Sequence, residues 1–369
     1  MSIKKLLLFI FAFVSITSKA QLLQDTHTQQ IISKGLDKLY NFEFKAAEAN
    51  FQKIPSSYSS HPVVDLIEAL QLQWENVPID KHPVALQKYM ASLERCRAKA
   101  EKLYKIDKYK AEAIFFLLSS HGYIALVHNE SNEYAKAANE ALKAYSYLKE
   151  GFKYPTINPE FYFTSGIYNF YRVQYPESHP IVKSIIWFFE GGNKKTGLQQ
   201  LEIAVNKAIF SRTEAAYYLT GINLKYEHNL DKALQYGNWL VSNYPNNLVY
   251  QMRYAEALAL KGKDTEAESK IQLLHRSPEK IYHLAAFVFQ GILEEHNKND
   301  KLAAGYYANA LKMTPDERYT KDYYAMAYLG LARIFEQNGD NAKAKIFYKK
   351  ALDYAEYPWL INQAKTGLK

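Results

Sequence analysis

The feature that most constrains this chain is a fixed internal spacing of small residues. Gly221 and Ala233 lie 12 positions apart, and so do Ala255 and Ala267, Gly291 and Ala303, and Ala332 and Ala344. From unit to unit the second member steps from Ala233 to Ala267, then to Ala303, then to Ala344, at intervals that lengthen slightly. A spacing of this kind marks a repeated supersecondary unit in which small side chains let two elements approach closely. The unit is helical. In the last copy Ala344, Phe347, Tyr348, Ala351 and Leu352 fall at i, i+3, i+4, i+7 and i+8, one face of a helix. Tyr328, Leu331, Ala332 and Phe335 form a matching face upstream, and Asn338-Gly339-Asp340 separates the two. Gly339 suits the left-handed residue that ends the first helix, and Asp340 or Asn341 can cap the second.

Strand signals are scarce: there is no Asn-Gly or Asp-Gly hairpin between alternating runs, and β-branched clusters are few. Of the 369 residues 48% are hydrophobic, with only 15 Gly and 12 Pro, which suits a packed chain and excludes low-complexity or collagen-like classes.

These positions resemble tetratricopeptide repeats over residues 214–358. The aromatic, small-pair, aromatic, small, aromatic, Ala, Pro order falls on Tyr328, Leu331-Ala332, Phe335, Ala344, Tyr348, Ala351 and Pro358. The preceding unit supplies Phe287, Gly291, Ala303, Tyr307, Ala310 and Pro315, and an earlier one Tyr217, Gly221, Ala233, Leu240 and Pro245. There Gly237 stands where the second aromatic belongs, and Gln251 replaces an aromatic in the next unit. Gly35, Ala47 and Phe51 repeat the phase near the N-terminus, and Ala125, Ala137 and Ala144 give a weaker copy. The segments Gly166-Ile-Tyr-Asn-Phe-Tyr171 and Gly191–Leu201 also resemble the eukaryotic inclusion-body-clearance family of helical repeat proteins. The resemblance implies an all-α solenoid of antiparallel helix pairs in a right-handed superhelix. We expect six or so hairpins, with breaks near 151–158 and at the turn Tyr175–Pro180.

Four regions are expected: a signal peptide at 1–20, a degenerate helical region at 21–158, an irregular hairpin at 159–212 and a C-terminal array at 213–369. Lys4 and Lys5, the apolar run Leu6–Val14 and the Ser18-Lys19-Ala20 junction have the layout of a secretory signal. That predicts export, to the periplasm first and otherwise to the extracellular space. Loss of Lys4, Lys5 and Lys19 with that segment lowers the formal charge from +8 to +5, weak for a nucleic-acid partner, and none is expected. No later segment exceeds about ten apolar residues without a charge, so integral insertion is not expected either.

Chemistry is hard to find. The lone Cys96 excludes disulfide frameworks and Cys-rich metal sites, and lies in a helix without an orienting His. His121 and His128 lie on one helix face without a third ligand. Gly191–Thr196 fails the phosphate-loop pattern because Lys194 stands where Gly is required. Arg95, Lys99 and Lys102 form a basic stripe best read as a solvated face. No catalytic residue, metal or cofactor is therefore expected. The function expected is a non-catalytic interaction scaffold, open to membership of an envelope complex, that holds a protein or peptide on the concave surface. Its candidate contacts are Tyr218, Ile222, Lys225 and Tyr226, then Met252 and Glu256, then Val288, Ile292 and Glu295, and finally Leu329, Arg333 and Glu336. The alternative is a glycan- or polymer-binding module or envelope enzyme, with an aromatic pocket around 159–190 built from Tyr162, Tyr168, Tyr171, Tyr175 and Trp187.

Overall fold

The structure is a computed structural model that describes residues 21–178, 189–314, 316 and 320–369. The expected signal segment, Trp187 and Pro315 lie outside the described residues. Those described form helices joined by short turns, with no strand among them. In chain order the helices are α1 (Thr26–Tyr40), α2 (Phe44–Phe51), α3 (Pro62–Glu75), α4 (Pro83–Tyr104), α5 (Lys110–Glu130), α6 (Tyr134–Gly151), α7 (Glu160–Ser178), α8 (Lys194–Lys207) and α9 (Arg212–Lys225). They continue with α10 (Leu230–Asn243), α11 (Leu248–Lys261), α12 (Asp264–His275), α13 (Lys280–His296), α14 (Asp300–Lys312), α15 (Lys321–Gln337), α16 (Asn341–Tyr354) and α17 (Pro358–Gly367). Each odd helix through α15 packs on the even one that follows, and α17 closes the series. The described helices thus make eight pairs where about six were expected, because 56–120 and 159–207 also fold as pairs.

Local chemistry sets the boundaries. Pro62 and Pro83 open α3 and α4, where a missing N–H costs nothing. Asn229, Asn247 and Asp340 accept backbone N–H groups of the first turns of α10, α11 and α16. Gly339 takes φ +79°, as the sequence predicted, so the chain can reverse into α16. The turn expected at Tyr175–Pro180 is instead helical to Ser178, with Pro176 inside α7.

The small residues sit where helices cross. Ala233, Ala255, Ala267, Ala303 and Ala332 are fully buried. The repeat also seats a ring of the second helix on a glycine of the first: Phe51 on Gly35, and at the same sequence offset Tyr307 on Gly291. Gly330 of the next hairpin lies on the opposite edge of Tyr307, so one buried ring is gripped by two glycines on α13 and α15. A methyl group at Gly330 would fall inside van der Waals contact of a ring that cannot retreat. Gly330→Ala is therefore expected to lower stability by about 1–3 kcal/mol, despite alanine's helix propensity, measured by chemical denaturation. Gly166 and Gly197 bring the backbones of α7 and α8 together in the same way, with a Cβ at Gly166 2.9 Å from Gly197 O.

Sequence spacing held no sign of how the two halves meet. Asp37 near the end of α1 pairs with Arg212 and accepts the Tyr244 hydroxyl at 3.0 Å. Asn247 donates to Tyr40 O at 2.8 Å, and Asn41 Oδ1 accepts Asn246 N–H at 3.0 Å. Tyr40, Trp74, Tyr244 and Tyr250 stack edge to face or tilted around this junction, with centroids 5.5 to 5.9 Å apart. Phe115 and Phe116 of α5 press on Phe210 from the other side. The first hairpins are thus docked onto the start of α9 and α11. The chain is not a string of units that touch only their sequence neighbours.

Candidate functional site

The inner face of the second half carries two adjoining clefts. The smaller, about 210 Å³, is walled by Tyr171 of α7, by Tyr217, Tyr218, Gly221 and Lys225 of α9, by Tyr226, and by Arg253 of α11. Lys321, Asp322 and Tyr323 of α15, with Glu356 and Tyr357 before α17, complete it. The larger, about 670 Å³, lies between Leu260, Ile292, Glu295 and His296 on one side and Trp359, Leu360, Asn362, Gln363 and Thr366 of α17 on the other, floored by Met326, Leu329 and Arg333.

Between them stands a buried polar cluster. Glu256 is wholly inaccessible, yet its carboxylate accepts Arg253 Nη1 at 2.9 Å, Tyr323 OH at 2.9 Å and Tyr357 OH at 3.1 Å. A buried carboxylate persists only when paired in this way. The pairing fixes α11, α15 and the entry to α17 relative to one another. In the smaller cleft, burial raises the Asp322 carboxyl to about 6, against the opposing pull of Lys225 and two backbone N–H groups. Lys225 stays charged: the raising influences of Tyr226, Glu356 and Asp322 outweigh its burial. In the larger cleft Arg333 bridges to Glu295 at 2.7 Å, and Tyr307 donates to the same carboxylate.

The sequence-derived candidates separate into two groups. Tyr218, Lys225 and Tyr226 line the smaller cleft, and Ile292, Glu295, Leu329, Arg333 and Glu336 line the larger. Ile222, Met252, Glu256 and Val288 are corrected: they line neither cleft and are buried against neighbouring helices or in the polar cluster, and Ile292 and Leu329, although they border the larger cleft, are themselves almost wholly buried. Helical periodicity gives the phase of these side chains, but whether neighbouring helices cover them depends on packing that the spacing does not encode. Sequence reasoning missed Arg253, Asp322, Glu356, Tyr357 and Trp359. The signal that could have found the last three is the Glu356-Tyr357-Pro358-Trp359 run after the final repeat; Tyr-Pro recurs at Tyr244-Pro245, but without the acidic and indole neighbours.

Of the aromatics named for a pocket at 159–190, Tyr162 packs against the core of α7–α10, Tyr168 stacks on Tyr145 toward α6, Tyr175 is exposed, and Tyr171 lines the smaller cleft, so these four do not share one site. The other side chains singled out in the sequence are buried or paired. Burial pushes the Cys96 thiol up to about 12. His121 pairs with Glu140 and His128 with Glu133, at 2.6 and 2.5 Å. Arg95 and Lys99 of the basic stripe both bind Asp65. Among the described residues no group of three potential ligands could hold a metal ion.

Evenly spaced small residues at the helix crossings, and rings of one helix seated on glycines of its partner, decide the architecture. It is an all-α solenoid of antiparallel helix pairs. No family model matches the chain, and no curated protein does. Among solved structures, a tetratricopeptide repeat protein from Parabacteroides merdae is 15% identical with TM-score 0.34, over 81% of this chain and 98% of that one. Yeast Tom70 is 12% identical with TM-score 0.30, over 93% of this chain and 96% of the other. The solenoid departs from a regular array at Gly221. The position that would supply its ring holds Gly237 instead, and a Cβ built at Gly221 meets nothing within 4 Å. That open space belongs to the smaller cleft.

Proposed function

We propose that the chain is a non-catalytic scaffold that binds a segment of another protein along the inner groove formed by the two clefts, after export to the bacterial envelope. The observation that carries this reading is the groove itself. Helices α7, α9, α11, α13, α15 and α17 contribute to the two clefts, on which tyrosines and charges of both signs are partly accessible. Tyrosine, tryptophan and arginine are the side chains that most often anchor interfaces. Superhelical arrays place such a face where an extended or helical peptide can run along several units at once. Export rests on the layout of residues 1–20, and envelope fractionation with N-terminal sequencing beginning at Gln21 is the expected result.

Gly221 supplies the test of the groove. Gly221→Ala is expected to raise stability by about 1 kcal/mol, because it adds helix propensity in open space. Gly221→Leu projects further into the smaller cleft and is expected to block the partner while the protein stays folded. A photo-crosslinking residue at Tyr218 or Gln363 should capture a protein from the native host, and one at Ile346, exposed on the opposite helix face of its hairpin, should not. Capture that is equal at Ile346, or undiminished in Gly221→Leu, would remove the groove from consideration.

A further inference from the structure

The two clefts are one groove divided by a short piece of the chain itself. Between α16 and α17, residues 355–357 leave the last hairpin, and with Pro358 and Trp359 of the first turn of α17 they reach α9, three hairpins back. The crossing is held as a bound peptide would be held. Asp322 Oδ1 accepts the backbone N–H groups of both Glu356 and Tyr357, at 2.7 and 3.0 Å. The Glu356 carboxylate sits between two ammonium groups, Lys225 at 2.8 Å and Lys321 at 3.6 Å. The Tyr357 ring lies under Lys225 Nζ, 5.6 Å from its centroid, and its hydroxyl reaches Glu256. Trp359 Nε1 donates to Leu224 O at 3.0 Å, near the C-terminus of α9, where carbonyls lack helical partners, and its indole lies over His228 with centroids 4.8 Å apart.

None of these groove groups reads anything peculiar to a tethered segment. A carboxylate that takes two consecutive amides recognises main chain. Two lysines recognise an acidic side chain, and the Lys225–Tyr surface and the α9 terminus recognise aromatics one and three positions later. The ion pairs lie at the cleft edge, with Glu356 itself exposed, so water competes with them and they can be exchanged.

We infer that the groove recognises a partner segment in which an acidic residue at the mouth of a helix is followed by aromatics at the next and third positions, and that the chain's own Glu356-Tyr357-Pro358-Trp359 holds that place until such a segment displaces it. This rests on the reading that the groove binds protein. A tethered occupant competes at a high effective concentration, so a free peptide meets a large handicap that weakening the tether's contacts removes.

The test uses the full chain and a labelled peptide, Tyr-Ala-Glu-Tyr-Pro-Trp-Leu-Ile, copied from residues 354–361. Glu356→Ala with Trp359→Ala loosens the strap and alters no residue of α9, α11 or α15. Fluorescence anisotropy is expected to show at least tenfold tighter binding to this variant than to the unaltered chain, and a peptide with Gln for Glu should lose most of the gain. Equal affinity for both chains, including no binding to either, overturns the inference. Should the double variant fail to fold, hydrogen exchange of the unaltered chain decides. Millimolar peptide should speed exchange at the Glu356 and Tyr357 amides, and unchanged exchange rejects the proposal. The partner captured from Tyr218 separates the two levels. If it persists in the presence of the peptide, only the acidic–aromatic rule fails; if none is captured at all, the groove reading fails with it.

Discussion

Glu160→Ala is expected to lower the stability of the chain by about 3–5 kcal/mol, the range for stranding the partners of a buried, multiply bonded charge. Glu160 opens α7 and is buried, and its two carboxylate oxygens serve one short stretch of backbone. Oε1 accepts Ile209 N–H at 2.7 Å and Phe210 N–H at 3.0 Å, while Oε2 accepts Ser211 N–H at 2.9 Å and the Ser211 hydroxyl at 2.5 Å. The stretch is the turn between α8 and α9. Alanine leaves those donors without partners in the interior, and each unmet group costs about 1–3 kcal/mol. Phe210 and Arg212 in and beside this turn hold α5 and Asp37 respectively, so loss of the carboxylate also loosens the junction between the halves. Thermal and urea denaturation measure the loss. Glu160→Gln keeps one acceptor oxygen and should fall about midway. A Glu160→Ala protein within about 1 kcal/mol of the original would show that the turn finds other acceptors, since that is no more than one ordinary hydrogen bond contributes.

The second large effect is expected at Glu256. Glu256→Ala leaves the Arg253 guanidinium, half-buried in the wall of the smaller cleft, beside the Tyr323 and Tyr357 hydroxyls at 3.3 and 3.0 Å, neither of which carries a compensating charge. The expected cost is again about 3–5 kcal/mol. Replacing the whole pair, Arg253→Met with Glu256→Leu, should recover much of it, because a well-packed apolar substitute removes the desolvation penalty along with the charges. A double variant no more stable than Glu256→Ala would assign the loss to the tyrosine hydrogen bonds instead. Crosslinking from Tyr218 adds a second readout. Since Glu256 fixes the floor between the clefts, the single variant should lose partner capture even at temperatures where helix content is intact.

Much of the architecture was legible because it is written in local, periodic terms. The regular interval between small residues, the ring that Tyr307 presents to Gly291 and the glycine before Asp340 each report contacts within one hairpin or between neighbours. Contacts across the superhelix carry no such period. Nothing in the spacing of Asp37 or Asn41 says that they will meet Arg212 and Asn246. Nor does it say that Tyr40, Trp74 and Tyr250 will share one junction. The same limit explains the divided candidate site. Helical phase put Ile222, Met252 and Glu256 on the inner side. Whether that side is open depends on curvature and on Glu356–Trp359 returning to α9, both of which are non-local. Gly221 stands between these cases: the missing aromatic at Gly237 was visible in the sequence, but its meaning as open space emerges only in the folded chain.

The docking of the first hairpin onto the start of α9 and α11 has a bearing on how the molecule comes into being. In a simple stack every unit finds its neighbour as soon as the next one is synthesised. Here the aromatic underside around Tyr40 and Trp74 must wait for roughly 200 further residues, which at bacterial and eukaryotic elongation speeds of about 5–20 residues per second is about 10–40 seconds. For that interval a sticky patch is without its cover. A newborn chain of this kind has reason to depend on a holding factor in a way that its finished form does not.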